Sequence, residues 1–327
     1  MGKIDEPPVY TNRPIDEKKG EEAPPPPFTE AVPHYFQDNK SPGWKIVINN
    51  RFWTDGFRIF VSNDASNKFD IFKKKNTSPE VVELQEQGFG VPLFKAVTSF
   101  ISVSGRFITF RRYTPTNLHP FDVDRDYYDY CVVTKSVHLS YDTYTFKFTP
   151  DPKNPSLNFK VVLFSHSILP IHDYIYKGER RRWIDESNLM NFRLQWQVKY
   201  GFKHTVLTPD QVSMTDSWDG KGDSLDRKKQ NELLNGLLRK TFSISAKYPK
   251  PEYYGPYITD VLGEAEAFFK LGYAEVKIDD TGNPNTNVNY ESIFSLREDD
   301  LVTICTATVL KRQKDIVEDN RRRRRKN

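Results

Sequence analysis

Cysteine is scarce in this sequence, and its scarcity restricts the classes of protein that the chain can represent. The two cysteines, Cys131 and Cys305, lie far apart and match neither a disulfide framework nor a spaced metal site. We therefore expect a protein of a reducing compartment, with both thiols buried in its core.

Long apolar runs are also missing. No stretch approaches the roughly 18 uncharged residues that a membrane-spanning helix needs, and the first residues lack the apolar centre of a secretory signal. Gly2 does not begin a myristoylation motif, because Glu6 stands where that motif requires Ser or Thr. These absences predict a cytoplasmic protein, either free or peripheral at a membrane, with the nucleus as an alternative.

The sequence signatures of common catalytic and cofactor sites are missing too. The chain has no GxxxxGKS/T, no GxGxxG after a strand, no HExxH and no GxSxG. Its six histidines show no paired helical spacing, and the DVDRD segment lacks the later glycine and glutamate of a calcium loop. We predict no catalytic residues, no metal and no cofactor, which favours a non-enzymatic protein and leaves an enzyme as the alternative.

Positive charge is concentrated after Asn320. Residues 1–40 carry five basic and eight acidic side chains, and the region between them and the basic run is close to neutral. Such a body does not fit a nucleic-acid-binding protein, which needs many cations facing phosphates. We expect residues 319–327 to be disordered and to serve as a tether to anionic phospholipid membranes, a nuclear-import signal or a solvated end. The basic run comprises Arg321, Arg322, Arg323, Arg324, Arg325 and Lys326.

Short basic groups also occur within the body of the chain. If several of them converged on one face, they would bind phosphate headgroups, because guanidinium groups match phosphate oxygens and anionic lipids attract clustered cations. The alternative is that each group lies on a solvated turn or strand edge. The candidate phosphate-binding residues are Lys73, Lys74, Lys75, Arg111, Arg112, Arg180, Arg181 and Arg182.

Residues 1–42 are rich in proline and charge and poor in apolar side chains, which predicts a disordered tail with local polyproline II structure. Within this tail, Pro7, Pro8 and Tyr10 belong to a PPVY tetrapeptide that resembles the ligands of WW domains in HECT-type ubiquitin ligases. An extended polyproline II segment loses little further entropy when it docks on an aromatic groove, and the tyrosine adds a second anchor. The resemblance implies a WW-domain ubiquitin ligase as partner, with this chain as its adaptor or substrate.

Residues 43–318 have the pattern of a β-rich domain. Short runs such as WKIVINN, FRIFVS and LNFKVVLFSH are rich in aromatic and β-branched residues, and Asn, Asp, Gly and Pro separate them. In NFRLQWQVKYG, and at Tyr144, Phe146 and Phe148, apolar residues alternate with polar ones. This alternation predicts antiparallel strands with one buried face.

A helical insert is expected at about residues 209–270. Leucines on one side of residues 226–240 predict a surface helix, and Pro256 is placed to begin a second one. The apolar stripe of this second helix would consist of Val261, Leu262, Ala265, Phe268 and Phe269.

The most informative segment is SLREDDLVTICTATVLKR. Ser295 followed by Glu298 predicts a capping box, and residues 301–310 contain no charge. A helix without charge around its whole circumference must be buried, and this one is too short to cross a bilayer. The β-branched residues in this segment also suit a buried strand, which would indicate a two-sheet sandwich of arrestin type.

Short antiparallel strands that end in YAEVKIDD, followed by DDLVTICTATVLKR, resemble the tubby C-terminal-like superfamily, which includes LURP-one and phospholipid-scramblase-like proteins. The resemblance covers about residues 43–317. It implies an antiparallel β-barrel around a buried C-terminal helix, with additional surface helices. It further implies a domain on the cytoplasmic side of membranes that binds lipid headgroups or a membrane protein, with a scramblase-like activity in the same barrel as the alternative.

Overall fold

The computed structural model describes residues 44–49, 57–75, 78–98, 105–116, 119–167, 169–185, 200–209, 211–226, 229, 265–270, 273–278 and 292–326. The strands in these ranges are β1 (Trp44–Asn49), β2 (Phe57–Phe60), β3 (Phe94–Thr98), β4 (Arg106–Tyr113), β5 (Tyr127–Val137), β6 (Tyr141–Phe148), β7 (Phe159–His166), β8 (Ile171–Tyr176), β9 (Glu179–Asp185), β10 (Tyr200–Val206), β11 (Ala265–Lys270) and β12 (Tyr273–Ile278). The α-helices are α1 (Asn63–Lys74), α2 (Pro79–Glu86) and α3 (Glu298–Lys326), and two short 3-10 helices span Pro155–Leu157 and Met214–Ser217.

The strands pair antiparallel with their neighbours in chain order, and the two ends of the sheet meet. Strand β1 pairs with both β2 and β12, which makes the hydrogen-bonded order a closed barrel. In this register Val47 lies opposite Phe60 on one side and opposite Glu275 on the other. The prediction of a mainly β domain built from antiparallel strands is confirmed.

The alternation predicted in β6 places its aromatic residues in the core. Tyr144, Phe146 and Phe148 are each at most 1% exposed, whereas Lys147 between two of them is exposed. Side chains of successive strand residues point to opposite faces, and here the inward set belongs to the same apolar cluster as α3. Burial of each such ring contributes roughly 1.5–3 kcal/mol to the free energy of unfolding.

Residues 301–310 are helical and lie in the core, as the absence of charge predicted. None of them is more than 4% exposed, and most belong to the main apolar cluster together with residues of the surrounding strands. A helix satisfies its own backbone N–H and C=O groups, whereas a strand enclosed by a closed sheet has no ladder to join. The arrestin-type alternative, which requires a strand here, is therefore wrong. Among the described residues, no helix combines the length and hydropathy that crossing a membrane requires.

The start of α3 differs from the predicted capping box. The helix begins at Glu298, so the residue before it is Arg297 and not Ser295, and the Ser295 hydroxyl donates to the carbonyl oxygen of Ser292 at 2.7 Å. The carboxylate of Asp300 accepts the backbone N–H of Arg297 at 3.3 Å, which is one half of a capping box shifted along the chain. The acidic first turn also interacts favourably with the helix dipole.

Two buried threonines of α3 satisfy their hydroxyl groups within the helix. Thr306 donates to the carbonyl oxygen of Thr303 at 2.9 Å, and Thr308 donates to that of Ile304 at 2.7 Å. Buried polar groups are costly unless they are hydrogen-bonded, and this local bonding removes the cost. A segment that is rich in threonine can therefore occupy an apolar core.

Two sequence predictions need correction. Ala265, Phe268 and Phe269 lie on strand β11 and not on a helix, because β11 pairs with β10 on one side and β12 on the other. The basic run predicted to be disordered is helical as far as Lys326, where α3 ends. The tail of residues 1–42 and the alternating segment before Tyr200 lie outside the described residues, and so does the helix predicted at residues 226–240 apart from residues 226 and 229.

Candidate functional site

Strand β9 contacts α3 at three points between Asp299 and Lys314. Alternate residues of a strand project to the same face, and three alternate residues of β9 contact the beginning, the middle and the later part of the helix. The three pairs are Arg181 with Asp299 (N···O 3.8 Å), Trp183 Nε1 donating to Thr306 Oγ1 (3.0 Å), and Asp185 in an ion pair with Lys314. The last pair lies where the helix residues change from buried to exposed.

A pocket of about 170 Å³ lies beside the Asp185–Lys314 pair. On the helix side, its wall is a stripe of residues three or four positions apart, which brings them onto one face of α3. This stripe consists of Leu310, Gln313, Lys314 and Val317. The opposite wall comes from strand ends and loops, and it includes His166, Leu169, Pro170, His172, Asp185 and Phe202.

The two histidines of the pocket are neutral at physiological pH. Burial lowers the pKa of both His166 and His172 from the usual 6.5 to about 4. His166 Nδ1 accepts the backbone N–H of Leu169 at 3.0 Å, so the neutral ring carries its proton on Nε2. His172 Nδ1 lies 2.8 Å from the hydroxyl oxygen of Ser165, its partner in the β7–β8 register.

Buried polar atoms without a hydrogen-bond partner in the described part of the chain lie at the pocket, and they include His172 Nε2 and Gln313 Oε1. His172 as a whole is 6% exposed. Buried polar groups in native proteins are nearly always hydrogen-bonded, so these two atoms mark the pocket as a place where another molecule would complete the bonding.

Comparison with known proteins gives a family but no individual relative. The family model described as DIA1 matches residues 41–323, which is most of the chain. The chain belongs to the DIA1 family. Neither the curated proteins nor the solved structures contain a match to it.

The DIA1 match includes all strands of the barrel, every residue of the pocket and α3 as far as residue 323. The candidate phosphate-binding residues lie in the same region, and the structure places them at three separate elements. Lys73 and Lys74 end α1, and Lys75 follows them; all three side chains are exposed. Arg111 and Arg112 lie on β4, and the three consecutive arginines lie on β9.

Arg182 is buried and its guanidinium is bound within this DIA1 domain. Its Nε and Nη2 donate to the two carboxylate oxygens of Asp173 at 2.6 and 2.7 Å, and Nη2 also donates to the carbonyl oxygen of Val212. Ser213 and Met214 donate to the same carboxylate, so this pair holds the 211–217 segment against the sheet. Arg182 is 1% exposed, which corrects its assignment as a phosphate ligand.

The neighbouring arginines of β9 are also bound internally. Arg181 is 5% exposed and pairs with Glu179 at 2.6 Å, which corrects its assignment as well. Arg180 faces the same side as Arg182 and pairs with Asp216 at 2.9 Å. The three arginines therefore stabilise two faces of the strand and do not form one anion-binding surface.

The two arginines of β4 are partly exposed and partly paired. Arg111 forms an ion pair with Asp129 at 3.1 Å and donates to the Tyr127 hydroxyl at 3.2 Å. Arg112 lies over the ring of Tyr130 and donates to the carbonyl oxygen of Ile293 at 3.4 Å. These contacts tie the sheet to the segment before α3.

The basic run extends α3 on the same face as the pocket. At 100° per residue, Arg321 and Arg324 continue the stripe of Gln313 and Val317 along the helix. The side chains of Arg321, Arg323, Arg324 and Arg325 are exposed. The WW-ligand candidates Pro7, Pro8 and Tyr10 lie outside the described residues.

The sequence did not indicate the pocket, because the two histidines that line it are not spaced like metal ligands. They flank the turn between β7 and β8, where a hairpin register places Ser165 opposite His172. The segment SHSILPIHD is the sequence feature that could have indicated the pocket. In it, Ser165-His166 and His172-Asp173 lie on the two sides of a Pro-containing turn. The contribution of Gln313 depends on the position of α3, which no local pattern specifies.

Proposed function

We propose that this DIA1-family protein is a non-enzymatic adaptor that associates with anionic membranes through the basic end of α3. The observation that carries the proposal is the continuity of this helix. Its first half is enclosed in the barrel, and its last turns present arginines to solvent in a regular helical array. Clustered basic residues near an anionic leaflet each contribute roughly 1 kcal/mol to membrane association.

The architecture supports a relationship with the tubby C-terminal-like superfamily, which belongs to the same proposal. A closed antiparallel sheet with a C-terminal helix in its core is the arrangement that this resemblance implies. Members of that superfamily place such a barrel at the cytoplasmic side of membranes. In this chain, the buried arginines of β9 are paired with carboxylates, so the basic end of α3 is the better candidate for contact with lipid.

Vesicle binding tests the proposal. We expect the full-length protein to co-sediment with phosphatidylcholine vesicles that contain phosphatidylserine and not with pure phosphatidylcholine vesicles. Removal of residues 321–327 should weaken this association and reduce its dependence on salt, because fewer screened charges then contribute. If the truncated protein binds as well as the intact one, the membrane proposal fails, and nuclear import becomes the better role for the basic run.

The adaptor part of the proposal rests on the PPVY tetrapeptide. We expect an isolated WW domain of a HECT-type ubiquitin ligase to bind the protein through Pro7, Pro8 and Tyr10. Tyr10→Ala should abolish this binding without changing the melting temperature. Equal recovery of wild-type and Tyr10→Ala protein on the immobilised WW domain would refute the adaptor function.

A further inference from the structure

The pocket beside the Asp185–Lys314 ion pair is large enough for a small organic molecule. Its volume is about 170 Å³. A dry cavity of about 150 Å³ holds one benzene molecule, and a water molecule takes about 30 Å³ of liquid volume. The pocket therefore fits one ring-sized compound or several waters.

The charges around the pocket favour a neutral occupant. Lys314 and Asp185 neutralise each other, and the side chain of Asp185 is only 5% exposed. The imidazoles of His166 and His172 are uncharged at neutral pH, since burial lowers the pKa of each. An ionic ligand would lose its hydration without gaining a free counter-charge, which is costly in a buried site.

The unpartnered atoms specify the polar group of the occupant. Gln313 Oε1 is a carbonyl oxygen that only accepts, so the ligand must donate a hydrogen bond to it. His172 Nε2 donates or accepts according to its tautomer, which Ser165 sets through Nδ1. A hydroxyl group both donates and accepts, so its chemistry matches both atoms.

Part of the remaining wall is polar, from Ser167, His166 and the Asp185–Lys314 pair, and the rest of it is apolar. Leu169, Pro170, Phe202, Leu310 and Val317 surround the two polar positions. Small-molecule sites commonly have this composition, in which apolar side chains provide the contact area and a few polar atoms set the orientation. We propose that the pocket binds a small neutral molecule that carries a hydroxyl group on an apolar body, with Gln313 and His172 as its hydrogen-bonding partners.

The full-length protein and benzyl alcohol provide the direct test. Binding measured by saturation-transfer NMR should be saturable in the millimolar range or tighter. Toluene has the same ring without the hydroxyl, and it should bind about fivefold more weakly, a factor that one net hydrogen bond supplies. Benzoate should show no saturable binding, because its charge has no free partner in the pocket.

Variants connect the binding to the pocket. Gln313→Leu removes the buried carbonyl at a partly exposed helix position, and it should abolish the preference for benzyl alcohol over toluene. Gln87→Leu makes the same change at an exposed position next to α2 and should leave both affinities unchanged. Val317→Phe adds bulk at a rim residue that is 40% exposed, so it should block both ligands without unfolding the protein.

Three outcomes would overturn the inference. Toluene binding as tightly as benzyl alcohol would show an apolar cavity without hydroxyl recognition. Benzyl alcohol binding that Gln313→Leu and Val317→Phe leave unchanged would place the site elsewhere. Failure of benzyl alcohol to saturate would mean that the pocket holds water only. None of these results depends on membrane or WW-domain binding, so the pocket and the adaptor proposal are tested separately.

Discussion

Residues 301–311 and residues 312–326 belong to the same helix, but they are stabilised in different ways. The first set is enclosed by strands and is at most 4% exposed, whereas exposure increases through the second set towards Arg325. In the buried half, apolar packing and the hydrogen bond between Trp183 and Thr306 define the helix position. In the exposed half, a preformed helix continues with little packing, which costs less than starting a new helix.

This difference shows how one segment can combine a structural and an interaction role. The enclosed half determines where the helix leaves the barrel, and the exposed half carries charge to that place. The pocket with Gln313 and His172 lies at the boundary between them. Changes in the buried half should therefore affect stability, and changes in the exposed half should affect binding.

The largest expected effect is that of a charge placed in the buried half. Ile304→Asp puts a carboxylate at a position that is 0% exposed and has apolar neighbours. An unpaired buried charge is among the few changes that cost more than about 4 kcal/mol, so we expect the domain not to fold. Circular dichroism and thermal melting of the purified variant would measure this loss.

Val317→Asp is the matched control in the other half of the helix. Val317 is 40% exposed, and the new carboxylate lies four residues before Arg321, a spacing that favours an ion pair. The melting temperature should change little, within about 0.5 kcal/mol of unfolding free energy. Similar losses for Ile304→Asp and Val317→Asp would contradict the division of the helix into an enclosed and an exposed half.

Acid should destabilise the boundary between the halves. Burial lowers the pKa of His172 to about 4, and the charged groups around it are Asp185, Lys314, Asp173 and His166. The unfolded state binds a proton as the pH falls through 6.5, whereas the folded state resists until about pH 4. Stability should therefore fall with decreasing pH between these values, by about 3 kcal/mol for a shift of this size. Urea unfolding at a series of pH values would measure the slope.

His172→Asn separates this histidine from the other titrating groups. The Asn amide does not titrate, and its nitrogen can occupy the position of Nδ1 near Ser165. The slope of unfolding free energy against pH reports how many protons the protein takes up when it unfolds. We expect this number to be smaller by about one in the variant than in the wild type. An unchanged slope would show that the pKa of His172 is the same in the folded and unfolded states.

A smaller effect is expected when one hydroxyl is removed inside the buried half. Thr306→Val keeps the shape of the side chain but leaves the buried N–H of Trp183 without an acceptor. Such an orphaned donor costs about 1–3 kcal/mol. Thr308→Val is the control, because the Thr308 hydroxyl donates only to the carbonyl oxygen of Ile304 in its own helix. Equal melting temperatures for the two variants would show that the Trp183 bond does not stabilise α3.

The features that the sequence predicted correctly are those with few physical alternatives. Residues 301–310 lack charge over a length that is too short for a membrane, which leaves the protein core as their location. The alternation at Tyr144, Phe146 and Phe148 likewise predicts a strand with these rings in the core, although the opposite face is also buried at Thr143 and Thr145. In both cases a local pattern was sufficient because burial itself was the only requirement.

The features that were missed depend on partners distant in the chain. Phe268 and Phe269 fit a helical stripe in isolation, and pairing with β10 and β12 makes them part of a strand. Arg182 resembles an anion-binding residue until β8 brings Asp173 beside it. Gln313 becomes a site residue only because the barrel fixes the rotation of α3. Each of these outcomes depends on register or rotation, which short motifs do not encode.

The smallest effect on stability should come from the basic end of α3, where the effect on binding should be clear. Replacing Arg323, Arg324 and Arg325 with Gln removes exposed charges and keeps residues that favour helix. The unfolding free energy should stay within about 0.5 kcal/mol of the wild type, as for surface substitutions in general. Association with phosphatidylserine vesicles should weaken by roughly 1 kcal/mol per arginine. Replacement of the same three arginines with Lys keeps the charge, so this variant should retain most of the wild-type affinity. If the Lys variant binds as weakly as the Gln variant, the membrane recognises guanidinium groups specifically and the attachment is not purely electrostatic.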